Sequence, residues 1–413
     1  MHIVYIHQHF CTNEGSSGTR SFDVSRHLVA MGHRVTVVCG WLAVGGLAPL
    51  PWYRLFRRER MEGFDVIVCN ATYSPQQGFI GRFIGFVWFA VLGALAAAWV
   101  CNPDVVFATH TPLTVGIPGY IAARIRRVPF IFEVRDLWPE SDLISGNLKP
   151  GPLASAIEAL EVFLYAKADK ILLVSPGFEK RLLERGYPAA KLRSILLGAD
   201  GDIFRELVPN EVFRREQDLE GKTVAVYTGV HGRANGLNYI VDAAALLRDR
   251  EDIVFLLVGN GPEKLGLMRR AEEMGLENMR FVDFVPKTEL PGILAVCDIG
   301  LMILMNVGER PVTPNKIFDY MFTGLPSIVN FPGPTAEMVL GDGTGVYADP
   351  SRPEELAERV VHWADHADEA RAVGKRARET AYAKYDRRRI AEQLAAAFQE
   401  VREVYDRRAL SRR

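Results

Sequence analysis

Short apolar runs rich in Val and Ile recur along the chain, and polar or turn residues follow each one. In the first half they are IVYI (3–6), RVTVVC (34–39), DVIVCN (65–70), DVVFATH (104–110), FIFEVRD (130–136) and KILLVS (170–175). A second series runs TVAVYTG (223–229), IVFLLVG (253–259), MRFVDFV (279–285), DIGLMIL (298–304), LPSIVN (325–330) and GTGVYAD (343–349). Helical spacing fills the intervals, as in NYIVDAAALLRD and GPEKLGLMRRAEEMG. Strand-length runs alternating with helical patterns predict βαβ units and parallel sheets. Periodicity lapses into turn residues and charges at LGADGDIFRELVPNEVF (197–213). The expectation is an α/β chain of two doubly wound, Rossmann-like domains facing a cleft. Their boundaries fall at 1–203 and 204–384, with a helix over 385–413 packing back on the first domain.

One segment breaks the pattern. GFIGRFIGFVWFAVLGALAAAWVCN (78–102) carries a single charge, Arg82, and from Ile84 to Cys101 it has 18 apolar or small residues. That is the lower limit for a spanning helix. Spanning would divide one α/β domain between two sides of a membrane, so it is rejected. A buried helix and a helix lying in the membrane interface both remain. The second is favoured by Phe79, Phe83, Phe86, Trp88 and Phe89, and by WYRLFRRER (52–60), where aromatics mix with Arg54, Arg57, Arg58 and Arg60.

At 413 residues the chain suits two domains of ordinary size. Net charge −1 with 24% charged residues gives no general bias toward nucleic acid. From Arg371 to Arg413 there are 13 Lys/Arg against 6 Asp/Glu, a solvated helix face or a patch for anionic lipid or phosphate. Five scattered cysteines read as reduced thiols of a cytoplasmic protein, and MHIVYIHQHF reads as a first strand rather than a signal peptide.

The candidate chemistry sits where strands end. GSSGTRS (15–21) follows the first strand; Gly15 and Gly18 let backbone N–H groups approach an anion, and Arg20 opens the helix. A merely tight βα turn is the alternative. TGVHGRANG (228–236) repeats the device with Gly229, His231 and Arg233, and VGNGPE (258–263) with Gly259 and Gly261. None is GxGxxG or GxxxxGK[ST]. TPNKIFDYMFTGLPSIV (313–329) puts Asn315, Lys316 and Asp319 at a helix start. A lysine there opposes the helix dipole, and a diphosphate would justify it, with Asp319 on ribose hydroxyls. An Asp–Lys surface pair is the bland reading. EVRDLWPES (133–141) loads the end of an apolar strand with charge. No acidic pair with cation-binding spacing stands in these loops, so neither metal nor cofactor is expected.

Taken together, GSSGTR, DLWPES, TG…ANGL, VGNGPE, FVDFVP, PNKIFDYMFTGLP and GVYADPSRPEELA resemble the retaining nucleotide-sugar glycosyltransferases of group 4, with the GT-B fold. EVRDLWPES with PNKxFDY is similar to enzymes that build surface polysaccharides, often on a polyprenyl diphosphate. The resemblance implies a donor, UDP-linked, in the C-terminal domain and an acceptor in the N-terminal one. Gly15, Gly18, Arg20, Gly229, Arg233, Gly259, Asn315 and Lys316 would meet the donor. Phe284 and Val285 would face the base, and Asp319 the ribose. Glu133, Arg135 and Asp136 would serve catalysis, and His110 the acceptor. Two positions depart from the family pattern: Pro311 stands where many members have a glutamate, with Glu309 off register, and Arg135 where many have histidine. The implied enzyme is a metal-independent hexosyltransferase, cytoplasmic and peripheral on the inner membrane face. A nucleotide-sugar epimerase of the same fold, a phosphorylase and a non-catalytic membrane scaffold are the alternatives.

Overall fold

The computed structural model describes all residues except 16–17, 44, 74–77, 145–147 and 412–413. The chain forms two compact units, Met1–Leu196 with Arg387–Arg413, and Leu197–Asp386.

The first unit is built on eight strands: β1 His2–Ile6, β2 Arg34–Leu42, β3 Phe56–Met61, β4 Phe64–Tyr73, β5 Val105–Thr109, β6 Phe130–Val134, β7 Lys170–Leu173 and β8 Leu192–Ser194. Their order is β3-β4-β2-β1-β5-β6-β7-β8. Every pairing is parallel except β3 with β4. Residues of β1, β5 and β6 are buried on both faces. Helices cover a parallel sheet on both sides, which is why these strands read as unbroken apolar runs. The edge strand β3, FRRERM, has no such run; charge on an edge discourages pairing with another chain.

Three helices matter below: α1 Arg20–Ala30, α2 Phe79–Trp99 and α3 Gly116–Arg126. The long C-terminal helix, Arg387–Leu410, places Ile390, Leu394, Phe398 and Val401 in the same core as Ile3, Tyr5, Val37 and Phe107. The Phe398 and Phe107 rings lie 5.0 Å apart. Its first residue, Arg387, donates to Thr19 at 2.8 Å and pairs with Asp23, locking the start of α1.

In the second unit, six parallel strands run β9 Thr223–Thr228, β10 Ile253–Val258, β11 Met279–Val282, β12 Ile299–Met302, β13 Ser327–Val329 and β14 Gly345–Tyr347. Their order, β11-β10-β9-β12-β13-β14, is the doubly wound Rossmann order. Strand order reverses between β1 and β5 in the first unit and between β9 and β12 in the second. In such sheets ligands bind beyond the carboxyl ends of the strands at that reversal.

Candidate functional site

In the second unit, β9 ends at Thr228 under the helix Lys316–Thr323. Tyr320 fixes the two together. Its hydroxyl accepts from the Thr228 backbone N–H at 2.9 Å, and its ring lies where a Cβ on Gly300 of β12 would stand at 2.6 Å. This holds Lys316, at the helix start, over the strand end. The Lys316 Nζ lies 3.7 Å from the Tyr227 ring centroid, and a Cβ on Gly229 would approach it to 3.2 Å. Burial draws the Lys316 ammonium down to about 7, against the partial support of Asp319.

Asp319 does not bond to Lys316. It is buried, and Lys287 holds it at 2.5 Å. The surface-pair reading therefore fails on two counts, and among the described residues no carboxylate pairs with Lys316. The Lys287 pairing ties the loop carrying Phe284 and Val285, just beyond β11, to the Lys316 helix. Phe284 is exposed and Val285 half-buried. Asn315, half-buried at the helix cap, leaves its Oδ1 without a partner.

The glycine loops pack on each other. A Cβ on Gly259 would stand 1.9 Å from the Gly229 carbonyl oxygen, and one on Gly261 2.4 Å from that of His231. Gly229 and Gly259 also have φ of +132° and +146°, which side chains rarely tolerate. The His231 ring is wholly buried with both nitrogens unpartnered, and burial, aided by Lys264 and Lys316, lowers it to about 4. Arg233 is exposed and, with Gly232, Gly236, Asn238, Glu263 and Met305, lines a cavity of about 440 Å³.

In the first unit, the ends of β1, β5 and β6 converge on buried polar groups. Arg20, the first residue of α1, is wholly buried; it donates to Glu133 at 2.7 Å and to the Leu196 carbonyl at 3.1 Å. Thr109 donates to the other Glu133 oxygen at 2.5 Å. Burial pushes the Glu133 carboxyl up, but Arg20, Arg135 and Thr109 outweigh it and hold it below the usual range. Arg20 is thus turned inward, not toward solvent, and Glu133 is the centre of an internal ion pair. Two residues on, Arg135 emerges half-buried and lies 3.5 Å from His7 Nε2. Asp136 is half-buried beside it. His110, at the end of β5, is buried with neither ring nitrogen partnered; burial, then Arg135 and His9, lowers it to about 3. Tyr5 Oη, Gln8 Oε1 and His9 Nε2 are likewise buried without partners.

Gly15 is buried, its N–H bonded to the Thr12 carbonyl at 3.0 Å, and Gly18 is half-buried. Ser16 and Ser17, which complete that loop, lie outside the described residues. The pattern of MHIVYIHQHF announces a strand and not the site residues Tyr5, His7, Gln8 and His9. The signal was HQH directly after the first apolar run. Asp200-Gly201-Asp202 is an acid pair two apart, outside the glycine loops. Asp200 caps the turn by accepting from the Asp202 N–H at 3.4 Å, and Asp202 pairs with Arg205 at 2.9 Å.

Comparison with known proteins agrees with this layout. A Glycosyl transferase 4-like domain matches residues 15–198, and a Glycosyl transferases group 1 domain matches 222–366. The chain is 25% identical over 317 residues to a putative colanic acid biosynthesis glycosyl transferase, WcaI, of Escherichia coli, covering 74% of this chain and 77% of that one. It is 25% identical over 362 residues to 2-deoxystreptamine glucosyltransferase of Streptomyces kanamyceticus, covering 79% and 90%. Anabaena Alr3699/HepE, solved with UDP, superposes with a TM-score of 0.71 at 19% identity over 97% of this chain and 100% of that one. Sucrose-phosphate synthase of Thermosynechococcus elongatus gives 0.75 at 18%, over 97% and 98%. With two Rossmann-like units of the GT-B type, each matched by a glycosyltransferase domain, the chain belongs to the group 1 glycosyltransferases.

Proposed function

We infer that the protein moves a hexose from a UDP-linked sugar to a polyprenyl-diphosphate-linked saccharide during surface polysaccharide assembly, with retention at the anomeric carbon. The observation that carries the donor half is Lys316: a cation held over the end of β9 with a ring, not a carboxylate, as its partner. A diphosphate supplies the missing countercharge. The Lys316–Thr323 helix start adds its dipole, and exposed Arg233 adds a second cation on the neighbouring loop. HepE, one of the structural neighbours, was solved with UDP and with UDP-glucose, which supports a uridine donor.

Departure of the diphosphate leaves an oxocarbenium-like carbon, and the acceptor hydroxyl attacks the face the phosphate left, passing its proton to the departing phosphate oxygen. Lys316 and Arg233 stabilise the departing charge, so no divalent cation is required in this scheme. Asn315 Oδ1 and the Phe284–Val285 backbone would contact the nucleoside. In the first unit, Arg135 and His9 border the acceptor with His110 buried close to them, and Asp136 positions its hydroxyl. Glu133 acts on Arg20 and Arg135 from within. A lipid-linked acceptor implies work at the cytoplasmic membrane face.

The test is direct. The full chain is incubated with a panel of UDP- and GDP-sugars and a polyprenyl-diphosphate saccharide. UDP release with an α-linked product from an α-donor, read by NMR, is expected. Donor binding without transfer to any acceptor, or epimerised donor, overturns the reading.

A further inference from the structure

The helix α2 has two apolar faces, and only one is used by the fold. Phe89, Leu92, Ala96 and Ala97 are buried in the first unit. On the other side Ile84, Trp88, Val91, Leu95 and Trp99 are each more than two-fifths exposed. Their spacing of three and four residues makes one continuous stripe from Ile84 to Trp99, roughly 24 Å of the helix. A solvated helix would put charge there; this one has none beyond Arg82. Isolated exposed apolar residues are ordinary, but a continuous stripe marks an interaction surface.

The stripe continues into the loop before β3. Asn70 gathers the pieces: its side chain donates to the Pro51 and Arg54 carbonyls at 2.9 and 3.0 Å, and its own carbonyl accepts from Trp88 Nε1 at 3.1 Å. Trp52 is 89% and Tyr53 71% exposed on that loop. The next strand residue, Phe56, packs its ring 6.0 Å from that of Trp99. At the far end of α2, Arg126 donates to the Ala98 carbonyl at 2.7 Å, which brings α3 alongside with exposed Ile125 and Arg124.

We propose that this face docks the first unit on an anionic lipid bilayer, with α2 lying in the interfacial plane. This goes beyond the transfer reaction and rests on it only in expecting a lipid-linked acceptor. Charge and chemistry choose the occupant. The apolar stripe is edged by tryptophan and tyrosine, which favour the boundary between headgroups and acyl chains. Beside the stripe, Arg54 on the loop that Asn70 holds is exposed, as is Arg60 on the edge strand β3, and neither makes an ion pair among the described residues. Arg57 and Arg58 do not contribute, because Glu59 and Asp65 neutralise them. A protein partner would need matching acids in a fixed pattern; a bilayer with anionic headgroups needs only proximity. Spanning is excluded because β4 and β5, before and after α2, lie in one sheet.

The structure also selects the right variant. Phe86 stacks on Tyr73 at 5.8 Å and lies 6.1 Å from His9, so changing it perturbs the interior. Ile84, Val91 and Leu95 are the residues to replace. The whole protein is floated with vesicles of phosphatidylcholine alone and of phosphatidylcholine with phosphatidylglycerol, at low and high salt. Binding to the anionic vesicles, weakened by salt, is expected. The I84S/V91S/L95S variant should lose at least tenfold in partitioning while its Tm and its donor binding match the parent. The R54A/R60A variant should lose the preference for phosphatidylglycerol. Failure of the parent to float with either vesicle overturns the proposal. So does sedimentation showing a dimer that the triple serine variant disperses, since the face then joins two copies. Loss of donor binding in the parent, with flotation intact, would instead count against the transfer reaction.

Discussion

The Lys316 ammonium rests 3.7 Å from the centre of the Tyr227 ring, while the nearest acid on its own helix, Asp319, is bonded to Lys287 at 2.5 Å. One turn of helix thus separates a neutralised acid from a cation lacking a carboxylate partner. Asp319 ties down the loop after β11, and Lys316 is left without a carboxylate, open to an anionic ligand. Replacing Lys316 with Ala should lower kcat/KM for the donor at least tenfold, about 1.4 kcal/mol. Lys287→Ala should act differently. It frees Asp319 to compensate Lys316, so donor KM should rise while the effect on kcat stays smaller.

The depressed position of Lys316 makes donor affinity depend on pH. Burial holds the ammonium near 7 in the free protein. Below that pH the amine is charged and attracts diphosphate; above it the bound complex must take up a proton. The sugar diphosphate is a diester whose own charge is constant there. Donor Kd should therefore rise with pH above about 7, approaching tenfold per unit. Titration calorimetry across this range checks it, and Lys316→Met should flatten the dependence. A variant that keeps the parent's slope would assign the effect elsewhere.

Gly259→Ala tests the packing of the strand-end loops. Its new Cβ would meet the Gly229 carbonyl oxygen at 1.9 Å, on a backbone with φ of +146°. The expected loss is about 3 kcal/mol or more. In a unit of this size, that lowers Tm on the order of 10 °C. Gly266, inside the helix Lys264–Glu273, has nothing within 4 Å of the added carbon. Gly266→Ala should be neutral or slightly stabilising. Equal behaviour of the two variants in thermal melts would refute the account.

Much of this was legible in the chain because it is local. Apolar runs mark strands buried on both faces, and PNKIFDY carries its chemistry within one helical turn. What escaped depends on distance or on exposure. Lys287 and Asp319 are 32 positions apart, so nothing near PNKIFDY announced that its acid was taken. Arg20 looked like an anion ligand because it opens a helix. Its partner, Glu133, lies 113 residues away, and the pair faces inward. In α2 hydrophobic periodicity fails altogether: with no polar face there is no moment to read. Only the fold tells Leu92, buried, from Leu95, exposed. The edge strand β3 was missed for the opposite reason, since an arginine-rich edge carries no apolar alternation.

The Arg20–Glu133 pair should behave as structure, not as catalyst. Removing one partner leaves a buried charge uncompensated, so Arg20→Met or Glu133→Leu alone should cost about 3–5 kcal/mol. The double variant should recover a large part, because neither charge is then stranded. Urea unfolding of the four proteins gives the coupling energy. Additive losses would mean that the two charges do not act as a pair.

Metal removal is expected to leave transfer unchanged. The cations placed for the leaving diphosphate are Lys316 and Arg233, and Asp200 and Asp202 are engaged in capping and with Arg205. Activity measured after chelation should match the untreated protein. Restoration of a lost activity by Mg²⁺ or Mn²⁺ would refute this, since it would assign the counter-charge to a bound cation.

His110 offers the sharpest distinction between a role in folding and a role in acceptor binding. Both its ring nitrogens are buried without partners, and each unpaired buried polar group costs about 1–3 kcal/mol. Those two nitrogens keep hydrogen-bonding capacity that an acceptor hydroxyl can use. His110→Leu should therefore hold or raise stability near neutral pH while raising acceptor KM and leaving donor Kd alone. The pH dependence of stability gives an independent check. Burial, with Arg135 and His9, lowers the folded imidazole to about 3 from its ordinary 6.5. Between those values the unfolded chain binds the extra proton, so stability falls as pH falls through that window. His7 and His9, lowered for the same reason, add to the loss, and His110→Leu should remove one share of it and shift the acid midpoint downward. A variant that unfolds more readily at neutral pH, with acceptor KM unchanged, would make His110 a core residue and move the acceptor contact elsewhere along the β1 end.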